Sequence, residues 1–290
     1  MPPRLAIILA LAWGLEAQVI TAQYDNARTG ATPRETVLTP RNVNAAQFGK
    51  LFTFAVDGDV YAQPLFVPRL EIPGKGLHDV VFVATEHDSV YAFDAGHQPA
   101  DPLWRVNFLT PGTDTVSSHD ARCPFIAPEV GITATPVIDE ASRTMYVLAR
   151  TTEHELYYQR LHAIDIATGA ERPGSPVLIR ASVPGAGLFG LTKKEVAFHA
   201  LLENPRAALL LAQGTVYIAW GSACDAGPYY GWVIAYDGRT LRQTGVFNTA
   251  PDAGESGIWQ ADAGIAADSD GRVYAVTGNG KCIPPRSGSW

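Results

Sequence analysis

"TMYVLARTTEHELYYQRLHAIDIATG", Thr144 to Gly169, decides the fold. Its first run, through Val147 and Leu148, is apolar and β-branched or aromatic at most positions. Its second, Leu156 to Asp165, has the same character, and the charged stretch Thr152–Glu155 separates the two. Short runs of Val, Ile, Tyr and Leu bounded by turn formers read as strands, and two of them across a short polar break read as an antiparallel hairpin. The second run closes on Ala163-Ile164-Asp165 and then Thr168-Gly169, a turn ending.

The same plan recurs on both sides. "VVFVATEHDSVYAFDAG" (Val80 to Gly96) and "TVYIAWGSACDAGPYYGWVIAYDGRT" (Thr215 to Thr240) each run from an apolar strand through a loop into a strand ending A-x-D. Ala92, Ala163 and Ala235 open those endings, about 70 residues apart, the signature of an internal repeat. A further strand precedes each pair ("VYAQPLFV", "GITATPVID", "RAALLLA") and another follows it ("PLWRVNF", "PVLIRAS", "QTGVFNT"). Four antiparallel strands per repeat make a propeller blade. A fourth opening strand, "GRVYAVTGN", starts at Gly271 with no A-x-D after it. The expected fold class is therefore all-β: a β-propeller of four-stranded antiparallel blades, incomplete at about three and a half blades. Helical periodicity is scarce, its best stretch being Thr192 to Leu202.

"AIDIATG" (Ala163 to Gly169) resembles the blade ending A-x-D-x-x-T-G-x-x-x-W of the quinoprotein-dehydrogenase-like β-propellers. The first repeat keeps the Ala, the Asp and Trp104; the third keeps the Ala, the Asp and Thr240. "QYDNARTG" with "LTPRNVNAAQFGKLFTFAVDG" is similar to the entry segment of that family, where an N-terminal strand completes the last blade. The resemblance runs to about Gly280. It implies a channel-mouth site for pyrroloquinoline quinone and Ca²⁺: an acidic metal ligand before an A-Y-D strand, a Trp floor under the quinone, a T-G-N turn whose Asn binds the metal, and a later Asp base. Asp225 stands where the family has a Glu, with one extra residue in the spacing. Trp259 and Asn279 of "VYAVTGN" follow in the family's order, about 20 residues apart. Oxygen ligands such as Asp225 and Asn279 suit Ca²⁺, and the face of Trp259 suits a flat quinone. Glu129 and Thr133, at the opening of the second repeat, are further candidate ligand contacts. The paired adjacent cysteines of many quinoprotein dehydrogenases are missing, and the base is expected beyond Asn279.

Composition bounds the alternatives. Hydrophobic residues at 47% against charged residues at 18% describe a globular chain, and a net charge of −7 argues against a nucleic-acid partner. Arg4 followed by the apolar run Leu5 to Leu15 has the pattern of a secretory signal peptide within residues 1–22, cut after Ala17 or Ala22. That run is too short to span a bilayer, which takes about 20 residues, and no other stretch approaches that length. The expected organisation is thus leader 1–22, propeller blades 23–280 and an irregular tail 281–290. Two prolines in "KCIPPRSGSW" do not suit a blade strand, so a truncation or frame change near Gly280 is expected. The expected location is secreted or periplasmic. There one pair among Cys123, Cys224 and Cys282 could form a disulfide, the spacing leaving open which.

Two motifs carry no site. "GAGLFG" (Gly185 to Gly190) matches a dinucleotide fingerprint, but Pro184 and the antiparallel pattern deny it the βαβ unit it needs. His154 and His162 lie outside any H-E-x-x-H spacing. Two functions remain. One is a non-catalytic exported propeller binding a protein, polysaccharide or small ligand. The other is a fragment of a quinone- and Ca²⁺-dependent dehydrogenase oxidising an alcohol or sugar. An open ring would expose sheet edges, which a multimer could close.

Overall fold

Strands of the first repeat pair antiparallel in chain order: β1 (Leu65–Ile72), β2 (Gly76–Ala84), β3 (Ser89–Asp94) and β4 (Trp104–Asn107). The computed structural model describes residues 18–33, 35–96, 101–190 and 194–281; residues 1–17 of the expected leader, Cys282 and the rest of the expected tail after Lys281 lie outside them. The second repeat has β5 (Thr113–Ser117), β6 (Glu129–Val130), β7 (Val137–Asp139), β8 (Thr144–Glu153), β9 (Leu156–Asp165) and β10 (Val177–Leu178). Its hairpin β8–β9 pairs from Thr144↔Asp165 to Glu153↔Leu156. The other edge of β8 is divided: β7 takes Thr144 to Tyr146 and β5 takes Thr151 to Glu153. The opening strand is shorter than its sequence suggests because Ile132 donates its N–H to Thr85 of the first repeat instead.

A hairpin of β11 (Ser182–Pro184) and β12 (Glu195–Ala197) then precedes the third repeat. The helical periodicity over Thr192 to Leu202 yields to β-pairing: Val196 is buried, and the chain turns at His199 rather than winding on. In the third repeat β13 (Glu203–Asn204) and β14 (Leu210–Ala212) share β15 (Thr215–Ser222), followed by β16 (Trp232–Asp237) and β17 (Gln243–Asn248). β18 (Ala266–Ala267) and β19 (Val273–Tyr274) begin a fourth unit.

Side chains of a strand alternate between its two faces, and here both faces are apolar. On β8, Met145, Val147 and Ala149 join Val80, Phe82 and Ile132 in a core against the first sheet. The alternating Tyr146 and Leu148 join Val216, Ile218 and Trp220 in a core against the third. On β15 the other face, with Ala219, packs on Ile258 and Ile265 of the fourth unit. Sheets buried on both faces stack as successive blades, and this is what continuous rather than alternating apolar strands call for.

The A-x-D motifs are structural. Asp165 Oδ1 accepts the N–H groups of Ala167 (2.8 Å) and Thr168 (3.1 Å), and the Gly169 N–H returns to the Asp165 carbonyl. Gly169 has φ 73° and lies against Trp104, whose indole donates to the Ile166 carbonyl at 3.1 Å. A Cβ there would come 2.8 Å from the ring, so only glycine admits that close packing between blades. The Gly185–Gly190 loop packs on the Pro251 turn, with Gly187 donating to its carbonyl, and among the described residues no βαβ unit forms around it. Among the described residues no helix is long and apolar enough to cross a membrane.

Candidate functional site

One line of contacts runs across the loops from the first unit to the fourth. It starts in the β2–β3 turn, where Glu86 and Asp88 are fully buried. Glu86 Oε2 accepts from the Gly131 N–H (2.7 Å) and Thr133 Oγ1 (3.1 Å), both from the segment after β6. Asp88 Oδ1 accepts from the Arg150 N–H at 3.3 Å. Arg150 ends the apolar stretch of β8, has no exposed surface, and donates to Asn204 Oδ1 and to the Leu201 carbonyl at 3.0 Å. Glu203, beside Asn204, accepts from the Tyr230 N–H and the Trp232 indole. Gln159 of β9 binds the Glu203 carbonyl and receives the Trp220 indole N–H at 2.8 Å.

Burial dominates the ionisation here. It pushes the Glu86 carboxyl up to about 7, against the opposing hydrogen bonds of Gly131 and Thr133, and pushes Asp88 and Glu203 well above their ordinary range. The Arg150 guanidinium is pulled down to about 10 by the same burial. Glu86 Oε1, Asp88 Oδ2, Arg150 Nε and Asn204 Nδ2 have no partner of their own, so the network is under-satisfied.

The candidate residues fall into two places along this line. Thr133 is buried and its hydroxyl is committed to Glu86. Glu129 Oε2 accepts from Thr115 Oγ1 and shares a hydrogen bond with His87 Nδ1, each at 2.8 Å. Asp225 lies in the next blade, on the loop after β15, exposed and with φ 55°. Its Oδ1 accepts from the Tyr229 hydroxyl at 2.7 Å, and the Tyr229 ring meets Trp259 edge-on, 6.1 Å between centroids at 76°. The Tyr229 hydroxyl is raised far above its usual range by burial and by Asp225.

Trp259 is half-buried and edged by three glycines. A Cβ on Gly221 or Gly257 would touch its ring at 3.4 Å, and one on Gly278 would come within 2.5 Å of Cδ1. Gly278 donates its N–H to the Gly257 carbonyl, and the next carbonyl, of Asn279, receives the Ser256 N–H, each at 2.8 Å. The Asn279 side chain is exposed. Asp225, Tyr229 and Trp259 therefore belong to one contact chain, which Asn279 joins only through its backbone beside Gly278, whereas Glu129 and Thr133 belong to the Glu86 end. Gly278→Ala should displace the indole, shifting near-ultraviolet circular dichroism and tryptophan emission at a cost of about 1–3 kcal/mol; unchanged spectra would contradict this packing.

The loop bearing Asp225 is anchored by the Cys123–Cys224 disulfide, Cα to Cα 5.1 Å, which ties it to the loop between β5 and β6. Cys123, Val116, Ile126, Val130 and Ala223 form a small apolar core around that bond. Among the described residues no three His, Cys, Asp or Glu side chains converge as a ready-made metal cluster. Sequence reasoning missed Glu86, Asp88, Arg150, Glu203 and Tyr229. A signal existed for the first three: they are charges set directly against the apolar strands of two blades.

No family model matches the chain, and no curated protein does. Among solved structures, a quinohemoprotein alcohol dehydrogenase from Comamonas testosteroni is similar at TM-score 0.52, with 16% identity over 91% of this chain. A second, from Pseudomonas putida HK5, gives TM-score 0.48 with 19% identity over 79%. The chain spans 36% and 30% of their lengths. The first likeness is one of fold, and it agrees with the all-β propeller architecture.

Proposed function

We propose that this chain is an exported β-propeller that binds a flat, carbonyl-bearing aromatic ligand against Trp259, and that its role is binding rather than turnover. The observation that carries the reading is the glycine-edged indole, set by Tyr229 and joined through it to the Asp225 carboxylate. An aromatic face beside oxygen donors is the usual means of orienting such a ligand. The groups whose proton affinity is moved towards neutrality, Glu86, Asp88 and Glu203, are shut away from solvent, which favours binding over acid–base work.

Pyrroloquinoline quinone with Ca²⁺ is the test ligand. The residues fit it: Asp225 Oδ2 and the Asn279 side chain accept no hydrogen bond among the described residues, and both residues are exposed. Hard oxygen donors of this kind, completed by water and by ligand carbonyls, suit Ca²⁺. Asp225 and Asn279 would hold the cation, and Trp259 would underlie the ring. Such a quinone, once bound, supplies a two-electron acceptor. A second reading, a piece of an alcohol- or sugar-oxidising dehydrogenase, is favoured by the fold likeness to the Comamonas enzyme.

The test is a titration of the full chain with the quinone, with and without Ca²⁺, read by tryptophan emission. The expected result is a saturable quench that needs Ca²⁺ and weakens at least tenfold in Asp225→Ala and Asn279→Ala. No saturable quench in the folded protein would overturn the reading. Quinone-dependent reduction of a dye by an alcohol would move the chain to the second reading.

A further inference from the structure

Residues 18–28 cross every unit in turn. Val19 pairs with Phe66 of β1 through two backbone hydrogen bonds of 2.9 and 2.8 Å. The Ile20 carbonyl receives the Ile138 N–H of β7 at 2.9 Å. Asn26 donates to the Leu211 carbonyl of β14 at 2.7 Å, and its own carbonyl receives the Ala267 N–H of β18 at 2.8 Å. The segments leading into those four strands adjoin one another: Gln63 donates to Thr135 Oγ1, Leu209 to the Thr135 carbonyl, and Ala207 bridges Ala261. The segment therefore laces the opening strands of all four units together.

Arg28 fastens it. Its guanidinium donates to the Leu209 and Ile265 carbonyls, each at 3.0 Å, and back to Thr21 Oγ1 and the Ala22 carbonyl. Thr21 and Ala22 are buried, and burial pulls the Arg28 guanidinium down to about 10. Val19 and Ile20 pack on the core between the first two blades. Half of this lacing lies before Gln23.

Both Ala17 and Ala22 offer the small residue that a leader peptidase requires before its cut. Only a cut at Ala17 leaves the lacing whole. A cut after Ala22 would remove both bonds to Phe66, the acceptor for Ile138 and two of the four acceptors of Arg28, leaving a buried cation short of partners. We propose that residues 18–28 are a strap holding the four units in register, and that export processing cuts between Ala17 and Gln18 so as to preserve it. The cut rests on the export reading above; the strap rests on the hydrogen bonds alone.

The experiment has two parts. The full chain is secreted from a bacterial host and the first residue of the product is read by mass spectrometry; Gln18 is expected. A product starting at Gln23 with the same unfolding midpoint as one starting at Gln18 would overturn the proposal, and one that keeps Met1 would overturn the cut. Separately, chains starting at Gln18 and at Gln23 are compared by amide hydrogen exchange, with full-length Arg28→Met as a milder variant should the shorter chain fail to fold. Exchange at Ile138 and Ala267 should quicken at least tenfold in the shorter chain, and at Ala267 in Arg28→Met, while Val216 within its own blade is unchanged. Equal exchange at these positions would overturn the strap whatever the processing result.

Discussion

Arg150→Met should destabilise the protein by about 3–5 kcal/mol at pH 8, and by clearly less at pH 5. Arg150 is wholly buried, and Glu86, Asp88 and Glu203 all feel its charge. Removing one member of a buried charge network costs about that much, because it leaves its partners uncompensated. The pH dependence has a definite sign. Glu86, Asp88 and Glu203 are raised in the folded state, so the folded protein keeps protons that the unfolded chain releases above about pH 4. Their contribution is therefore fully present below that pH and is lost as pH rises, for Glu86 through about 7. Arg150 opposes this by favouring the ionised Glu86, so its removal raises the carboxyls further and steepens the fall. Urea unfolding of both proteins at pH 5 and pH 8 measures it. A loss equal at the two values, or none, would contradict the network.

Opening the Cys123–Cys224 disulfide should cost about 2–4 kcal/mol, the ordinary range for a native cross-link. The bond spans 101 residues, so its removal frees a long loop in the unfolded chain. It also joins loops of two successive blades over an apolar core, so its loss should loosen the loop that carries Asp225. Cys123→Ala with Cys224→Ala, compared with the parent in urea with and without reductant, separates the two effects. Reductant should lower the midpoint of the parent and leave the double variant unmoved. A parent midpoint indifferent to reductant would contradict the pairing.

The repeat was legible because its signals are local. Asp165 closes its own turn, so the A-x-D-x-x-T-G stretch announces a blade before any long-range contact is known, whereas the packing of Trp104 from the preceding blade on Gly169 shows only in the fold. Trp259 and Asp225 could be proposed because, with Asn279, they fall in the order and near the spacing of the site residues in the family that the repeat resembles. Tyr229 could not, since its meaning lies in touching both at once. The strap was legible only as a resemblance of "QYDNARTG" to a family entry segment, and its course across the four units was not. "QVITAQYDNARTG" has no strong period, and Arg28 finds its acceptors at Leu209 and Ile265, far along the chain. The modest helical pattern over Thr192 to Leu202 did not displace the all-β reading, and from Glu195 on the pairing of β12 with β11 outweighs that weak local preference.

The central claim is that Trp259 is the floor of a ligand site. Calorimetric titration of the full chain with pyrroloquinoline quinone at saturating Ca²⁺, beside Trp259→Leu, tests it most directly. The prediction is one site per chain, weakened at least tenfold in the variant, with both proteins sharing an unfolding midpoint within about 1 kcal/mol of stability, since the indole is only half-buried. Equal affinity in the two proteins, or no binding to the parent, would contradict it.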